Sequence, residues 1–432
     1  MKIAILGGGF TGLTAAYYLK QDGHDVTIFE REPVLGGLAS GFRADGWDWY
    51  LERAYHHIFA NDEDILSLAQ ELDFKDFFLA TPQTASLYET AEEVYKIFPL
   101  DTPADLLQFP LLSPIERVRA GAVLAFMKFL PFFSFYEKES AASFLRKTMG
   151  GHAYGVLFGE LFRKKFGKYA ENILATFFWT RINKRTKKLG YINGGFQTFL
   201  NYIEEKCQSD GIHIEKGTAV DSIKKIENEF VITHTKKDDS SEQSTYDRVI
   251  STLPTPVVTK VAKDILPEEY VARLSRVKYL NAACLIVEST EKLLQDTYWL
   301  SVCVKEFPMM VLLQHTNMVP AEHYGGKQLL YIANYVERDH PLLGMEGEQA
   351  LEYYKPYLNK LNPVFAQSIT RTFYFRAPFA QPIFDKDFLT AKPDFKTPVD
   401  GFFIANLDMT YPYDRGTNYA VKLGREVTSY IK

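Results

Sequence analysis

The chain has 432 residues, 46% apolar and 24% charged, an ordinary globular balance that excludes wholesale disorder. Forty-nine Lys and Arg against 54 Asp and Glu give a net charge of −5, which argues against a general nucleic-acid binder, because that function needs a basic surface. Cys207, Cys284 and Cys303 lie far apart, with no CxxC pair and no metal-ligand spacing, so neither a disulfide framework nor a metal site is expected.

In chain order, residues 2–6 read as a short apolar strand, 10–22 as a helix with Leu13, Ala16 and Leu19 on one face, and 25–30 as a second strand. So short a connection makes this a parallel β-α-β unit. No basic-then-apolar leader precedes the first strand, so a cytoplasmic location is expected. Between strand and helix, Gly7-Gly8-Gly9-Phe10-Thr11-Gly12 fits G-x-G-x-x-G. Gly7 permits the tight turn, Gly9 lets the backbone approach a pyrophosphate, and Gly12 lets helix and sheet pack closely. The phosphate charge then sits at the helix N-terminus, where free N–H groups and the helix dipole favour it. Glu30 ends the second strand, where an acid accepts hydrogen bonds from ribose hydroxyls and repels a 2′-phosphate, so NADP is disfavoured there. A Gly36-Gly37 pair follows.

Farther along, residues 120–136 are the most apolar stretch, 17 residues broken by Lys128 and Pro131 and too short for a good membrane span. Three readings stand open for it: buried core, the wall of a lipophilic tunnel, or a patch that makes peripheral contact with a membrane. The 33 Phe and 26 Tyr fit either an aromatic core or a pocket for a flat or apolar ligand. Arg181 and Arg376 are candidates to bind an acidic substrate, and Lys184 to Lys188 reads as a solvated face. Residues 216–226 and 229–235 read as strands joined at Glu227-Asn228, 236–245 as a polar loop, 247–254 and 402–406 as further strands, and 417–430 as a final helix. Asp414 or Thr417 is placed to cap that helix. Its N-terminus, with the N–H groups of Gly416 and Thr417, would stabilise negative charge on a bound group. Tyr411 and Tyr413, flanking Pro412, read either as one wall of a substrate pocket or as simple packing. No second G-x-G-x-x-G is present, so no built-in nicotinamide domain is expected.

The stretch from Glu30 through Gly36-Gly37 to Ser40 resembles the extended signature of glutathione-reductase-like FAD folds, and within them the protoporphyrinogen oxidase, phytoene desaturase and amine oxidase superfamily. Residues 189–223, 247–258 and 401–427 resemble further FAD-domain segments of that superfamily, although TYPYDRGTN departs from the small-residue tail of most relatives. The resemblance implies an α/β protein: a Rossmann-like FAD-binding domain built from discontinuous segments (1–90, 190–260, 395–432), with an inserted α+β substrate domain (91–189, 261–394). It implies non-covalent FAD held by Gly7, Gly9, Phe10, Thr11, Gly12, Glu30, Arg31, Gly36, Gly37, Leu38, Val220, Gly416, Thr417 and Asn418. It implies an oxidase or desaturase taking hydride from a lipophilic or ring-shaped small molecule. Glu52 and His56 match the family's acid and histidine near the flavin ring, with Ala54 replacing a glycine; the other reading is that Glu52, Arg53 and the two histidines form a hydrogen-bonded structural cluster. His56, His57 and Tyr411 are the catalytic candidates, and Arg181, Arg376 and Tyr413 the substrate candidates. A redox-neutral flavin mutase resembling UDP-galactopyranose mutase is the alternative, and a non-enzymatic prenyl-protein binder of the Rab escort type a minor one.

Overall fold

The computed structural model describes residues 1–90, 94–130 and 133–431. Five strands from distant parts of the chain form one parallel sheet, in the order His213–Lys216, Asp25–Glu30, Lys2–Leu6, Arg248–Ser251, Phe402–Ile404. Ile3 to Leu6 are fully buried, as the central strand of a parallel sheet covered on both faces requires. The register sets Leu6 beside Phe29, so Gly7 and Glu30 leave the sheet at the same carboxyl end. The helices Phe10–Gln21 and Thr417–Thr428 pack together on one face. This is the expected cofactor domain assembled from separated segments.

A three-stranded antiparallel sheet, Ala219–Ile226, Glu229–Thr235 and Ser241–Tyr246, flanks it. The last strand corrects the expected loop at 236–245. Its polar residues lie on an outer edge with only Tyr246 buried, so no apolar alternation marks it as a strand.

The second large sheet has seven strands, in the order Ile369–Pro382, Tyr279–Ser289, Gln328–Val336, Val311–Gln314, Thr297–Val302, Gln83–Thr90, Val94–Pro99. Gln83–Thr90 joins it by parallel pairing with Thr297–Val302, so residues 83–90 lie in this sheet rather than with the cofactor domain, where the expected boundary put them.

Helices fill much of 103–184. The helix Pro114–Phe129 opens with a capping box between Ser113 and Glu116 and with Pro at its first turn. It buries Ala120 and Met127 but leaves Ile115 (81%), Val118 (63%), Phe126 (42%) and Phe129 (78%) exposed on one stripe. The buried-core reading of 120–136 therefore fails for that stripe. Pro131 lies outside the described residues. No helix among the described residues is long and apolar enough to cross a membrane.

Candidate active site

The glycine turn, the acid and the Gly-Gly pair are laced together by backbone. The Gly8 N–H donates to Glu30 Oε2 and the Glu32 N–H to Glu30 Oε1, each at 2.8 Å. The Gly36 N–H donates to the Gly8 carbonyl at 2.9 Å. No side chain caps helix Phe10–Gln21 at Gly9, so its first N–H groups stay available to a phosphate. A methyl at Gly12 would overlap the Gly7 carbonyl oxygen, and one at Gly36 (φ +124°) would lie 2.5 Å from a Leu200 methyl. Gly12 and Gly36 thus let the turn close on its own backbone and neighbours, whereas a methyl at Gly9 or Gly37 would meet nothing nearer than 3.8 Å, so space is open beside the backbone there. The buried Glu30 carboxylate keeps acceptor capacity beyond its two N–H partners. The residues fit FAD.

The other cofactor candidates are placed as follows. Phe10 and Thr11 are buried in the first helical turn, and Gly37 and Leu38 continue from Gly36 along the same rim. The Thr218 N–H donates to the Glu30 carbonyl at 2.8 Å, which brings the strand of Val220 beside the acid. Arg31 is exposed and pairs with Glu32 at 3.2 Å. Gly416 is the N-cap of the last helix, with no side-chain cap, so neither Asp414 nor Thr417 has the expected capping role. Asn418 Oδ1 accepts from the N–H groups of Asp64 (2.8 Å) and Ile65 (3.1 Å), at the start of the helix Glu63–Glu71.

After Glu52 the chain runs through Tyr55, His56 and His57 into the depth between the sheets. His56 Nδ1 lies 2.7 Å from the Ala54 carbonyl, so this nitrogen carries the proton and Nε2 is left as an acceptor. The His57 Nδ1 is buried without a partner among the described residues. Desolvation, then Arg415, pushes His56 down to about 4. Desolvation, then His56, Arg181 and Arg185, does the same to His57. Both imidazoles are neutral at neutral pH. Tyr55 and His57 face the Trp299 indole at 5.0 and 6.2 Å between ring centroids.

Glu52 joins no histidine. It accepts from the Tyr191 hydroxyl at 2.7 Å and from the Phe196 N–H, at the start of helix Phe196–Ser209, at 2.8 Å. Burial raises its carboxyl to about 7. The folded protein therefore holds this proton more tightly than the unfolded chain, so stability is lost as pH rises from about 4.5 to 7. Glu52→Gln is expected to flatten that loss, worth about 3 kcal/mol, when unfolding is compared at pH 5 and pH 8. An unchanged slope would show that another group carries it.

A cationic group lies next to the histidines. Arg181, on the helix Ala175–Lys184, keeps 42% of its side-chain surface accessible. Tyr55, His56, His57, Lys165, Asp414 and Arg415 are only partly buried, so accessible space remains among these side chains and forms the candidate cleft. Arg181 pairs with Asp414, and Lys165 Nζ lies 3.1 Å from the same carboxylate oxygen. The Arg415 guanidinium lies over the Tyr335 ring at 5.1 Å, and Lys165 Nζ over the same ring at 5.9 Å. Sequence reading did not single out Lys165 or Arg415 for a site. The available signal for Lys165 was its position three residues after Phe162, on the buried side of a short helix.

Two candidates lie elsewhere. Arg376 donates to the carbonyls of Leu343 (3.2 Å) and Met345 (3.0 Å) and approaches Glu346, so it ties down a surface segment. The Tyr411 hydroxyl bonds Thr176 and Glu137 at 2.9 Å each, and its ring packs on Phe384 and Phe388. That is an anchor between segments, not a catalytic placement. Tyr413 stacks on Tyr419 at 4.5 Å. Lys184, Arg185, Lys187 and Lys188 are exposed.

The fold matches solved structures over its whole length. A putative protoporphyrinogen oxidase from Exiguobacterium superposes with a TM-score of 0.75 at 16% identity, covering 100% of this chain and 98% of that one. Cyclohexylamine oxidase from Brevibacterium oxydans superposes at 0.76 with 12% identity and the same coverage. Among curated relatives, coproporphyrinogen III oxidase of Staphylococcus aureus is 25% identical over 59% of this chain and 60% of its own length. A 15-cis-phytoene desaturase of Synechococcus elongatus is 38% identical over 18% of this chain and 16% of its own length. The matched stretches thus span less than two thirds of these relatives. The family description "flavin containing amine oxidoreductase" matches residues 10–430. The chain, with its glycine cradle, Glu30 and discontinuous parallel sheet, belongs to the flavin containing amine oxidoreductase family.

Proposed function

We propose that this FAD-dependent oxidoreductase works as an oxidase or desaturase, taking hydride from a lipophilic or ring-shaped small molecule. The observation that carries the reading is the aromatic wall of Tyr55, His57 and Trp299 reached by the chain that leaves the glycine cradle. Bound FAD supplies the hydride acceptor. The aromatic rings hold a flat or apolar body and exclude water. His56 Nε2 and the neutral His57 ring are the acceptors for a proton released with the hydride. Oxidase and desaturase relatives weigh toward net oxidation rather than the mutase or Rab-escort alternatives.

The test is anaerobic bleaching of the flavin by coproporphyrinogen III, phytoene in detergent, and putrescine. Bleaching by one of the first two is expected. Bleaching by putrescine alone would contradict the reading.

We further propose that the exposed stripe of helix Pro114–Phe129 rests on an anionic bilayer surface. Lys128 Nζ bonds the carbonyls of Ile182, Asn183 and Arg185, which sets the exposed basic run Lys184 to Lys188 beside the Phe129 end of the stripe. Apolar side chains next to basic ones match the acyl and headgroup layers of such a membrane. The protein is expected to sediment with vesicles containing phosphatidylglycerol, and an Ile115→Ser, Phe129→Ser variant to bind them at least ~10-fold more weakly. No sedimentation, or equal sedimentation of both proteins, would contradict this.

A further inference from the structure

We infer that the cleft selects an anionic substrate, a carboxylate or phosphate carried on an apolar or aromatic body, and turns away the protonated amines for which the family is named. The inference deepens the proposed function and rests on the same cleft being the substrate site.

Three cations meet there against one carboxylate. Lys165 comes from the helix Glu160–Phe166, Arg181 from the helix Ala175–Lys184, and Arg415 from the loop before the last helix. Asp414 is shared by Lys165 and Arg181. The Arg415 side chain has neither an ion pair nor a hydrogen bond among the described residues, and its guanidinium lies over the Tyr335 ring. Arg185, which also acts on Arg181, is engaged with Asp101 at 2.6 Å. One carboxylate oxygen is thus shared by two of the cations, and the third has none. The half-buried Arg415 guanidinium is left without a counter-charge, which a bound anion would supply. An ammonium group entering the same space would add to the repulsion.

The cofactor's own phosphates do not account for the trio. Their cradle is the Gly9 to Gly12 turn and the Gly36-Gly37 pair, at the carboxyl end of the first sheet. Lys165 and Arg415 lie over Tyr335, on a strand of the second sheet, and Arg181 joins them through Asp414. The aromatic faces of Tyr335, Tyr55 and Trp299 around the charges call for a ring or apolar body attached to the anion. A planar guanidinium with a free fork suits the paired oxygens of a carboxylate or phosphate.

The experiment titrates the FAD-loaded protein with benzoate, phenyl phosphate and benzylamine, which share a ring and differ in the charged group, and follows the visible flavin spectrum. Saturable binding of benzoate or phenyl phosphate is expected, and the tighter of the two tells carboxylate from phosphate. Benzylamine is expected to bind at least ~10-fold more weakly than that anion. Arg415→Met should weaken the anion by about 10-fold or more, and Arg415→Lys should retain most of the affinity. Both should leave the FAD dissociation constant unchanged. Arg181→Met supplies the second variant if Arg415→Met does not fold. Three results would overturn the inference: benzylamine binding as tightly as the anions, no saturable change with either anion, or an Arg415→Met protein that loosens FAD but not the probe. A protein purified without flavin would instead sink the proposed function itself, and its absorbance reports this before any probe is added.

Discussion

Replacing Glu30 with Ala is expected to weaken FAD binding by about 10- to 150-fold, the equivalent of one charge-assisted hydrogen bond of roughly 1.5–3 kcal/mol. The residue ends the strand that pairs with Lys2–Leu6, so its carboxylate is held at the mouth of the glycine turn. It already accepts the Gly8 and Glu32 N–H groups, and its remaining lone pairs would accept the ribose hydroxyls. Removing it deletes the ribose partner and also frees two N–H groups that fix the turn. The fold should survive, because the sheet beneath is buried independently of this side chain. FAD titration of the apoprotein, with circular dichroism as the control for folding, checks both halves. An unchanged FAD affinity would place the ribose elsewhere.

The second large effect is expected with nicotinamide donors: neither NADH nor NADPH should reduce the flavin rapidly under anaerobic conditions. Such a donor must lay its ring against the flavin, and dedicated enzymes hold its adenosine diphosphate half in a second glycine-rich β-α-β unit. The sequence carries one G-x-G-x-x-G, and the described strands of the second sheet are antiparallel except where Gln83–Thr90 meets Thr297–Val302. Holding two reactants in register supplies about 7–11 kcal/mol of the barrier in well-oriented cases. Without a site for the adenosine diphosphate, most of that advantage is lost. Stopped-flow bleaching within seconds at sub-millimolar NADPH would contradict an enzyme reduced by its own substrate and favour a mutase or reductase.

The cofactor site was legible in the sequence because its requirements are local. A turn, a close approach and an acid at the end of the next strand all fall within residues 7–37, and each asks for a particular residue type. The strand Glu229–Thr235 was legible with its bounds, and Ala219–Ile226 within an expected 216–226 whose first residue, Lys216, ends a separate strand, whereas Ser241–Tyr246 was not, since a polar edge strand has no apolar face to announce it. The cleft was harder to read. Asp414 looks like a cap for the helix that follows it, but Lys165 and Arg181, more than 230 positions away, take the carboxylate. Arg376 sits among aromatics like a ligand contact, yet carbonyls of a neighbouring loop engage it. Tyr411 lies beside the expected flavin end in sequence, but its hydroxyl is taken by Glu137 and Thr176. Each of these outcomes depends on partners that only the tertiary fold brings together.

The most direct test of the account is acid precipitation of the purified protein, followed by identification of the flavin in the supernatant. The nearest cysteine in sequence to the C-terminal flavin segment is Cys303, and no histidine occurs in residues 401–427. Intact FAD is therefore expected in the supernatant, in near-equimolar amount to protein. Flavin that stays in the pellet would contradict non-covalent binding, and a colourless protein that takes up no added FAD would contradict the account as a whole.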